Sequence, residues 1–195
     1  MIAGHFGFAA AVKSRERQVS LWALMLATVW LDIVFVPLFL SGIETIVPVP
    51  QTHGGYGNLV IHADYTHSLV GALALSVLFG TAFSRRWGWR SAWVLAFVSF
   101  SHWLMDLIVH RADMPILPGN IGGLPKLGFG LWRMQSVVIG MEFALVLAGA
   151  WFYWRAARSV TIAAGRQEWR AALAGTLVLV LGLLVLALDV TGILD

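Results

Sequence analysis

Histidine and carboxylate side chains recur inside apolar stretches of this sequence, at spacings that suit metal binding. His102 and Asp106 are four residues apart, so on a helix they lie on the same face. Asp64 and His67 are three residues apart and are expected to share a face in the same way. Helical bundles commonly build metal sites from histidine and carboxylate ligands on facing helices. The chain contains no cysteine, so its nitrogen and oxygen ligands favour zinc, manganese or iron over a thiolate site.

The stretches that carry these residues predict a membrane protein. Hydrophobic residues make up 59% of the 195 and charged residues only 12%, too few to cover a soluble surface. A bilayer core requires roughly 20 helical residues. Five apolar stretches meet this requirement, at 20–42, 62–83, 89–110, 134–155 and 169–189. The sequence therefore predicts an all-α, polytopic membrane helical bundle with five transmembrane helices, in a single domain that covers residues 1–195.

An additional apolar segment at the N-terminus, residues 2–12, is too short to span a membrane. It ends at the basic cluster Lys13–Arg17 and predicts a short re-entrant or interfacial helix. Of the thirteen lysines and arginines, ten precede the first span or lie in the loops after the second and fourth spans. Since positive charge concentrates in cytoplasmic segments, the N-terminal basic cluster is predicted to be cytoplasmic and the C-terminus periplasmic, in a bacterial inner membrane. Topology thus explains the basic pI of about 9.8, and no nucleic-acid partner is expected.

Ionisable residues occur at similar depths in several of the predicted spans. At a rise of 1.5 Å per residue, Asp32, His102 and Glu142 lie roughly 12–15 Å below the outer ends of their spans. An ionisable residue at such a depth costs on the order of 2.5–3.5 kcal/mol, so it normally faces the bundle interior and has a partner. We therefore expect these residues to converge with His67 in one pocket in the outer half of the membrane. His5 can join them if the N-terminal helix dips inward.

Each of these residues also has a structural explanation. Asp32 or Glu142 alone can hydrogen-bond a neighbouring helix, and His102 and Asp106 can pair without a metal. Three further residues are expected to remain outside the site as loop residues: Glu44, Asp113 and His53. Of these, Glu44 and His53 are expected to be solvated. The shared depth of the ionisable residues in separate helices favours a common site over separate structural roles.

Three motifs in chain order resemble one known family. They are GHFGFA at the N-terminus, DYTHSL in the second apolar stretch and SHWLMDLIVHR in the third. Over about residues 1–135 the sequence resembles the YdjM-like family of bacterial inner-membrane metal-dependent hydrolases, which is distantly similar to zinc phospholipase C and P1 nuclease. The resemblance implies a metal site formed by five residues: His5, Asp32, His67, His102 and Asp106. The chain departs from the family's Pro-Asp-x-Asp-His stretch, where only Asp32 is present, and this departure implies fewer carboxylate ligands.

These observations predict a membrane-embedded metal-dependent hydrolase that acts on a lipidic phosphate or ester at the outer leaflet. A divalent metal, with zinc favoured over manganese or iron, activates a bound water and polarises a substrate oxygen. A carboxylate that does not bind the metal would act as general base, and Glu142 and Asp64 are the candidates. Three cations at the outer rim would receive an anionic head group: Arg111, Lys126 and Arg133.

Other functions remain open from the sequence alone. His67 and His102 would be the axial ligands of a b-type haem in an electron carrier, although the nearby acids do not suit a haem pocket. The acids would form an ion relay in a transporter, for which a homodimer would supply the missing symmetry. A purely structural membrane protein is the remaining alternative.

Overall fold

The computed structural model describes residues 1–50 and 56–191. The predicted exposure of His53 and the position of the C-terminus at 192–195 lie outside the described residues. Within the described ranges the chain forms seven α-helices: α1 Ile2–Lys13, α2 Leu21–Thr28, α3 Trp30–Leu40, α4 Leu69–Ala82, α5 Ser84–Val109, α6 Gln135–Ala163 and α7 Trp169–Val190. A hairpin of two antiparallel strands, β1 Thr45–Pro48 and β2 Leu59–His62, lies between α3 and α4 and pairs Thr45 with His62. Short 3₁₀ turns occupy Pro118–Asn120 and Leu131–Met134.

Three helices are long and apolar enough to cross a membrane, namely α5, α6 with its preceding 3₁₀ turn, and α7. Helices α2 and α3 pass the same test together, but they are bent by 47° at the break between them. Helix α4 is shorter, with 14 residues. Within the described part of the chain, the predicted helical architecture is therefore confirmed, with three to four helices long and apolar enough to span a membrane, where the sequence predicted five.

Each of the last three predicted spans coincides with one helix, although the bounds of α6 differ at its end. Helix α5 is kinked at Gly88 (φ 79°), so its regular part begins next to the predicted start at residue 89. Glycine adopts this positive φ without the steric cost that a side chain would add. Helix α6 continues to Ala163 instead of ending at 155, and α7 ends at Val190 instead of 189.

The predicted span 62–83 is helical only in its second part, α4. The residues before α4 form a turn, and Ser68 ends this turn by accepting the Gly71 N–H at 3.1 Å, as an N-cap residue does. The expectation that Asp64 and His67 share a helical face is therefore wrong, because both lie in the turn. The turn instead presents His67 at the start of α4.

The glycine- and proline-rich segment 111–133 ties the start of α4 to the end of α5. Its Pro115 carbonyl accepts the N–H of Leu69 at the start of α4, and its Phe129 N–H donates to Leu107 near the end of α5. The N–H groups in the first turn of a helix and the carbonyls in its last turn have no hydrogen-bond partner within that helix. The segment thereby fixes the two helix ends that flank the histidine-bearing turn.

Helix α1 packs against α6 inside the bundle and is not confined to its surface. A Cβ atom on Gly7 would lie 2.5 Å from the Leu145 carbonyl oxygen, and a Cβ on Gly149 would lie 2.1 Å from the Gly7 oxygen. Only glycines at these two positions allow the backbones to approach so closely. This packing carries His5 into the bundle interior.

The break between α2 and α3 occurs at Val29, where the sequence has neither glycine nor proline. Because α2 ends at Thr28, the carbonyl of that residue lacks a helical partner. This carbonyl instead accepts a hydrogen bond from Nδ1 of His102, at 2.6 Å. The break thus supplies an anchor for one histidine and reorients the helix that carries Asp32.

Candidate metal centre

Separate elements of the fold bring five of the predicted site residues together. The helices α1, α3 and α5 and the turn before α4 contribute His5, Asp32, His67, His102 and Asp106. Four of these residues are almost completely buried, whereas the side chain of Asp32 is 40% exposed. The cluster is therefore enclosed by the bundle and open on the side of α3.

The distances within this cluster suit a metal ion. The Nε2 atoms of His67 and His102 are 3.2 Å apart, and Oδ1 of Asp32 lies 3.5 Å from each of them. Oδ2 of Asp106 lies 3.0 Å from Nε2 of His102 and 3.8 Å from Nε2 of His67. Two tetrahedral zinc ligands with bonds of about 2.0–2.1 Å are roughly 3.3 Å apart, so these separations are those of ligands to one ion.

The Nδ1 partners of two histidines determine which ring nitrogen carries hydrogen. Nδ1 of His102 faces the carbonyl oxygen of Thr28, which can only accept, so this nitrogen donates. Nδ1 of His67 lies 2.9 Å from the hydroxyl of Thr66, which donates to Glu44 and therefore accepts from the ring. In the neutral rings, both Nε2 atoms consequently present lone pairs to each other. Such an arrangement requires a positive charge between the nitrogens, either a proton or a metal ion.

The carboxylates on either side of the two imidazoles favour a divalent metal ion over a proton. Asp32 and Asp106 together contribute two negative charges to a pocket that is mostly withdrawn from solvent. One proton between the imidazoles compensates one of these charges, whereas a divalent cation compensates both. Buried charges are stable only when they are compensated, and the residues present therefore fit a divalent metal.

His5 extends the centre on the side of α1. Its Nε2 lies 3.2 Å from Oδ1 of Asp106, and its ring stacks on that of His102 with centroids 4.0 Å apart. His5, His102 and Asp106 form a second group that could hold a metal. Because Nδ1 of His102 is engaged by a backbone carbonyl, both groups must use the same Nε2 atom. They therefore describe one centre and not two independent ones.

The expectation that Glu44 is solvated is wrong. This carboxylate is completely buried, and its Oε1 accepts the backbone N–H groups of Tyr65 at 2.8 Å and of Thr66 at 2.9 Å. Its Oε2 accepts the Thr66 hydroxyl at 2.9 Å. Glu44 thereby holds both the turn and the hydroxyl that orients His67, as outer partners of metal ligands commonly do. No local pattern in the sequence indicates this role, because β1 brings Glu44 to the turn from a distant position.

A further carboxylate–imidazole pair lies beside the cluster. Asp113, expected to be a loop carboxylate, is buried and accepts the Ile61 N–H at 3.2 Å through Oδ2. Its Oδ1 lies 3.0 Å from Nδ1 of His110, whose Nε2 in turn lies 3.8 Å from Oδ2 of Asp106. The four-residue spacing of Asp106 and His110 on α5 was the sequence signal for this imidazole, which the predicted site did not include.

The two predicted general bases are engaged elsewhere. Glu142 accepts the Tyr56 hydroxyl at 2.5 Å and the backbone N–H of Gly4 at 3.0 Å. Burial and the adjacent carboxylate raise the pKa of the Tyr56 phenol above its ordinary value, which keeps it a donor. Asp64 pairs with Lys126 at 2.8 Å. Neither acid belongs to the groups of potential metal ligands among the described residues, so their assignment as general bases stays a prediction.

Two of the three cations predicted at the outer rim also have internal partners. Besides the pairing of Lys126, Arg111 donates to the Gly57 carbonyl at 3.1 Å. Arg133 is exposed. Of the predicted set, Arg133 is therefore the cation whose charge faces outward.

Comparisons of the chain with protein-family models, with curated proteins and with solved structures gave no match. The similarity to YdjM-like hydrolases therefore stays a prediction that rests on the three motifs. The metal centre is supported independently of that prediction, by the contacts among its side chains.

Proposed function

We propose that this chain is a membrane-embedded metal-dependent hydrolase of the YdjM-like family. The observation that carries the proposal is the pair of Nε2 lone pairs of His67 and His102, 3.2 Å apart between two carboxylates. A centre with this composition and charge suits Zn²⁺, with Mn²⁺ or Fe²⁺ as the alternatives.

Each residue of the centre has a distinct part in the proposal. His67, His102 and Asp106 hold the metal from the enclosed side, and His5 fixes Asp106 through the free carboxylate oxygen. Asp32, the exposed member, lies on the side where a substrate arrives. The bound metal would supply an activated water and polarise the phosphoryl or acyl oxygen under attack.

The proposed topology has five crossings. Helices α2 and α3 form the first, and α4 to α7 form the other four. A 14-residue helix is about 21 Å long, so α4 crosses with the help of the turn that precedes it. The basic residues support the crossing, because Arg85 and Arg86 return to the side of the Lys13–Arg17 cluster. With this cluster in the cytoplasm of a bacterium, the metal centre faces the outer leaflet of the inner membrane.

A lipid phosphate or ester is the proposed substrate class. The centre lies among apolar helices and opens beside α3, where exposed side chains such as Ile33 and Val36 are apolar. A substrate that reaches Asp32 from this side must be compatible with the bilayer. The exposed Arg133 on the outer side would favour a substrate with an anionic head group.

The geometry favours this proposal over a haem carrier. Axial histidines bind haem iron from opposite faces, so their nitrogens lie about two metal–ligand bonds apart, or roughly 4 Å. The 3.2 Å separation of the Nε2 atoms of His67 and His102 is shorter, and two carboxylates occupy the space beside them. A visible spectrum of the purified protein without a Soret band is the expected result.

Metal analysis of protein purified without chelators tests the proposal. We expect one metal ion per chain in the wild type and almost none in His102→Ala. His62→Ala, a histidine in β2 outside the cluster, is the matched control and should retain the metal. A wild-type protein without bound metal, even after incubation with Zn²⁺, would contradict the proposal. Metal-dependent release of phosphate or fatty acid from vesicles of bacterial lipids then tests hydrolysis itself.

A further inference from the structure

A large apolar groove lies beside the metal centre. It has a volume of about 730 Å³ and runs between α1, α2, α6 and α7. Its lining consists of aliphatic and aromatic side chains and glycines, among them Phe6, Trp22, Met25, Val29, Leu181 and Gly182. Its volume falls in the range of small-molecule binding sites.

The groove reaches the metal centre at two points of the chain. Phe6, in its wall, directly follows His5 in α1. Val29, at the break after α2, directly follows the Thr28 carbonyl that anchors His102. At both points a residue of the groove wall is the direct chain neighbour of a residue that forms or anchors the centre.

The same wall continues towards the exposed side of the centre. Val29 and Asp32 are three residues apart on the first turn of α3, where the Ile33 N–H donates to the Val29 carbonyl, so they form a short stripe on that turn. Met25 and Val29 line the groove, and the Asp32 carboxylate is the exposed ligand of the centre. A molecule that contacts the open side of the metal can therefore extend along this stripe into the groove.

We infer that the groove binds the hydrocarbon chain of the lipid that the proposed hydrolase cleaves, with the head group at Asp32. This inference rests on the proposed function and specifies its substrate as a lipid with a polar phosphate or ester group next to a long apolar chain. Apart from the Trp22 indole N–H, the groove lining offers no polar side-chain group, so it suits hydrocarbon and not a sugar or a peptide. The exposed part of Asp32 marks the open side of the centre, where the metal-bound head group lies in an otherwise apolar surrounding.

Bilayer lipid tails are as apolar as the groove, so burial alone gives the chain little preference for it. The groove instead orients the chain so that the attached head group lies at the centre, and orientation contributes to catalysis. Over residues 22–29 of α2 the groove is about 10 Å long, so it holds the part of the chain nearest the head group.

Photo-crosslinking tests the inference with the full-length protein in phosphatidylcholine nanodiscs. The probe is a lysophosphatidate with a photoreactive diazirine in its acyl chain. In the wild type we expect cross-links concentrated on α2 and α7 residues of the groove, and at least fivefold less labelling with excess unlabelled lysophosphatidate. Labelling that is spread evenly over the lipid-facing residues and is not competed would overturn the inference.

Two variants on one helix sharpen the test. Leu181 and Leu184 are similarly exposed on α7, at 57% and 51%, but Leu181 lines the groove and Leu184 does not. Leu181→Trp should reduce groove labelling at least fivefold, whereas Leu184→Trp should label like the wild type. Equal labelling of both variants would overturn the inference, as would cross-links showing that a second copy of the chain fills the groove.

Metal content, measured on the same samples, separates this inference from the proposed function. We expect both α7 variants to retain the metal, because neither residue belongs to the centre. Full metal content with uncompeted labelling leaves the hydrolase proposal intact and removes only the chain site. A wild type that lacks metal contradicts the hydrolase proposal, whatever the labelling pattern.

Discussion

Two kinds of buried carboxylate occur in this bundle. Glu44 and Glu142 are completely buried, and each accepts hydrogen bonds from N–H or O–H groups whose hydrogens are available. Asp106 is almost equally buried, but its partners in the described part of the chain are imidazole nitrogens. A carboxylate satisfied by N–H and O–H donors has its hydrogen bonds without a metal, whereas Asp106 also faces the Nε2 lone pair of His102 and requires a cation between them. The comparison separates the acids of the scaffold from the acids of the metal centre.

The largest expected effect is that of Asp106→Asn. The substitution keeps the shape of the side chain but removes one of the two charges that balance a dication, and His5 loses its carboxylate partner. We expect almost complete loss of bound metal, measured by elemental analysis of the purified protein. Zn²⁺ should raise the Tm of the wild type and leave that of the variant unchanged, because only a protein that binds the ligand is stabilised by it. Full metal content in the variant would place Asp106 with the scaffold acids.

A smaller effect is expected from Thr66→Val, which removes the hydroxyl between Glu44 and His67. The N–H at Nδ1 of His67 then loses the hydroxyl that accepts its hydrogen bond. All metal ligands remain, but His67 is no longer held in its orientation. Outer partners of this kind contribute about 10–100-fold to metal affinity, and we expect a loss in that range from competition with a chelating dye. Thr28→Val is the matched control, since the Thr28 hydroxyl bonds only the Met25 carbonyl and its backbone anchors His102. Equal affinities of the two variants would refute the orienting role.

Glu142→Gln should separate stability from metal binding. The amide can present one oxygen where the carboxylate presents two, so either Gly4 or Tyr56 loses its acceptor. An unsatisfied buried donor costs about 1–3 kcal/mol, and the thermal midpoint should fall accordingly. The zinc affinity of the folded variant should change less than that of Thr66→Val. A selective loss of hydrolysis with unchanged stability would instead restore Glu142 as the general base.

The candidate ligands were predictable because their signals are local or compositional. The spacing of His102 and Asp106 depends only on helix geometry, which α5 preserves. Asp32 was included in the predicted site because an acid inside an apolar span costs free energy unless it has a partner. The cluster formed although one premise, a helical turn from Asp64 to His67, was wrong.

The features that the sequence did not predict depend on contacts between distant segments. Nothing at Val29 indicates a break, since neither glycine nor proline is present. The burial of Glu44 depends on a hairpin that places it beside a turn about twenty residues away in the chain. Glu142 resembled a site residue by depth alone, but its neighbours are the Gly4 N–H and the Tyr56 hydroxyl. Depth along a helix identifies which residues are costly to bury, and tertiary contacts decide what compensates them.

The smallest effect is expected from Asp64→Asn. Asp64 and Lys126 are partly exposed, with side-chain exposures of 29% and 23%, and such pairs contribute about 0–1 kcal/mol because water and salt screen them. Metal content, zinc affinity and hydrolysis should match the wild type, and Lys126→Met should behave in the same way. A large loss of hydrolysis in Asp64→Asn at full metal content, without a matching loss in Lys126→Met, would show that Asp64 acts on the substrate. By its partner alone, Asp64 belongs with the scaffold acids. Such a result would therefore show that access to the metal, and not the chemistry of the partners, distinguishes the acids of the site.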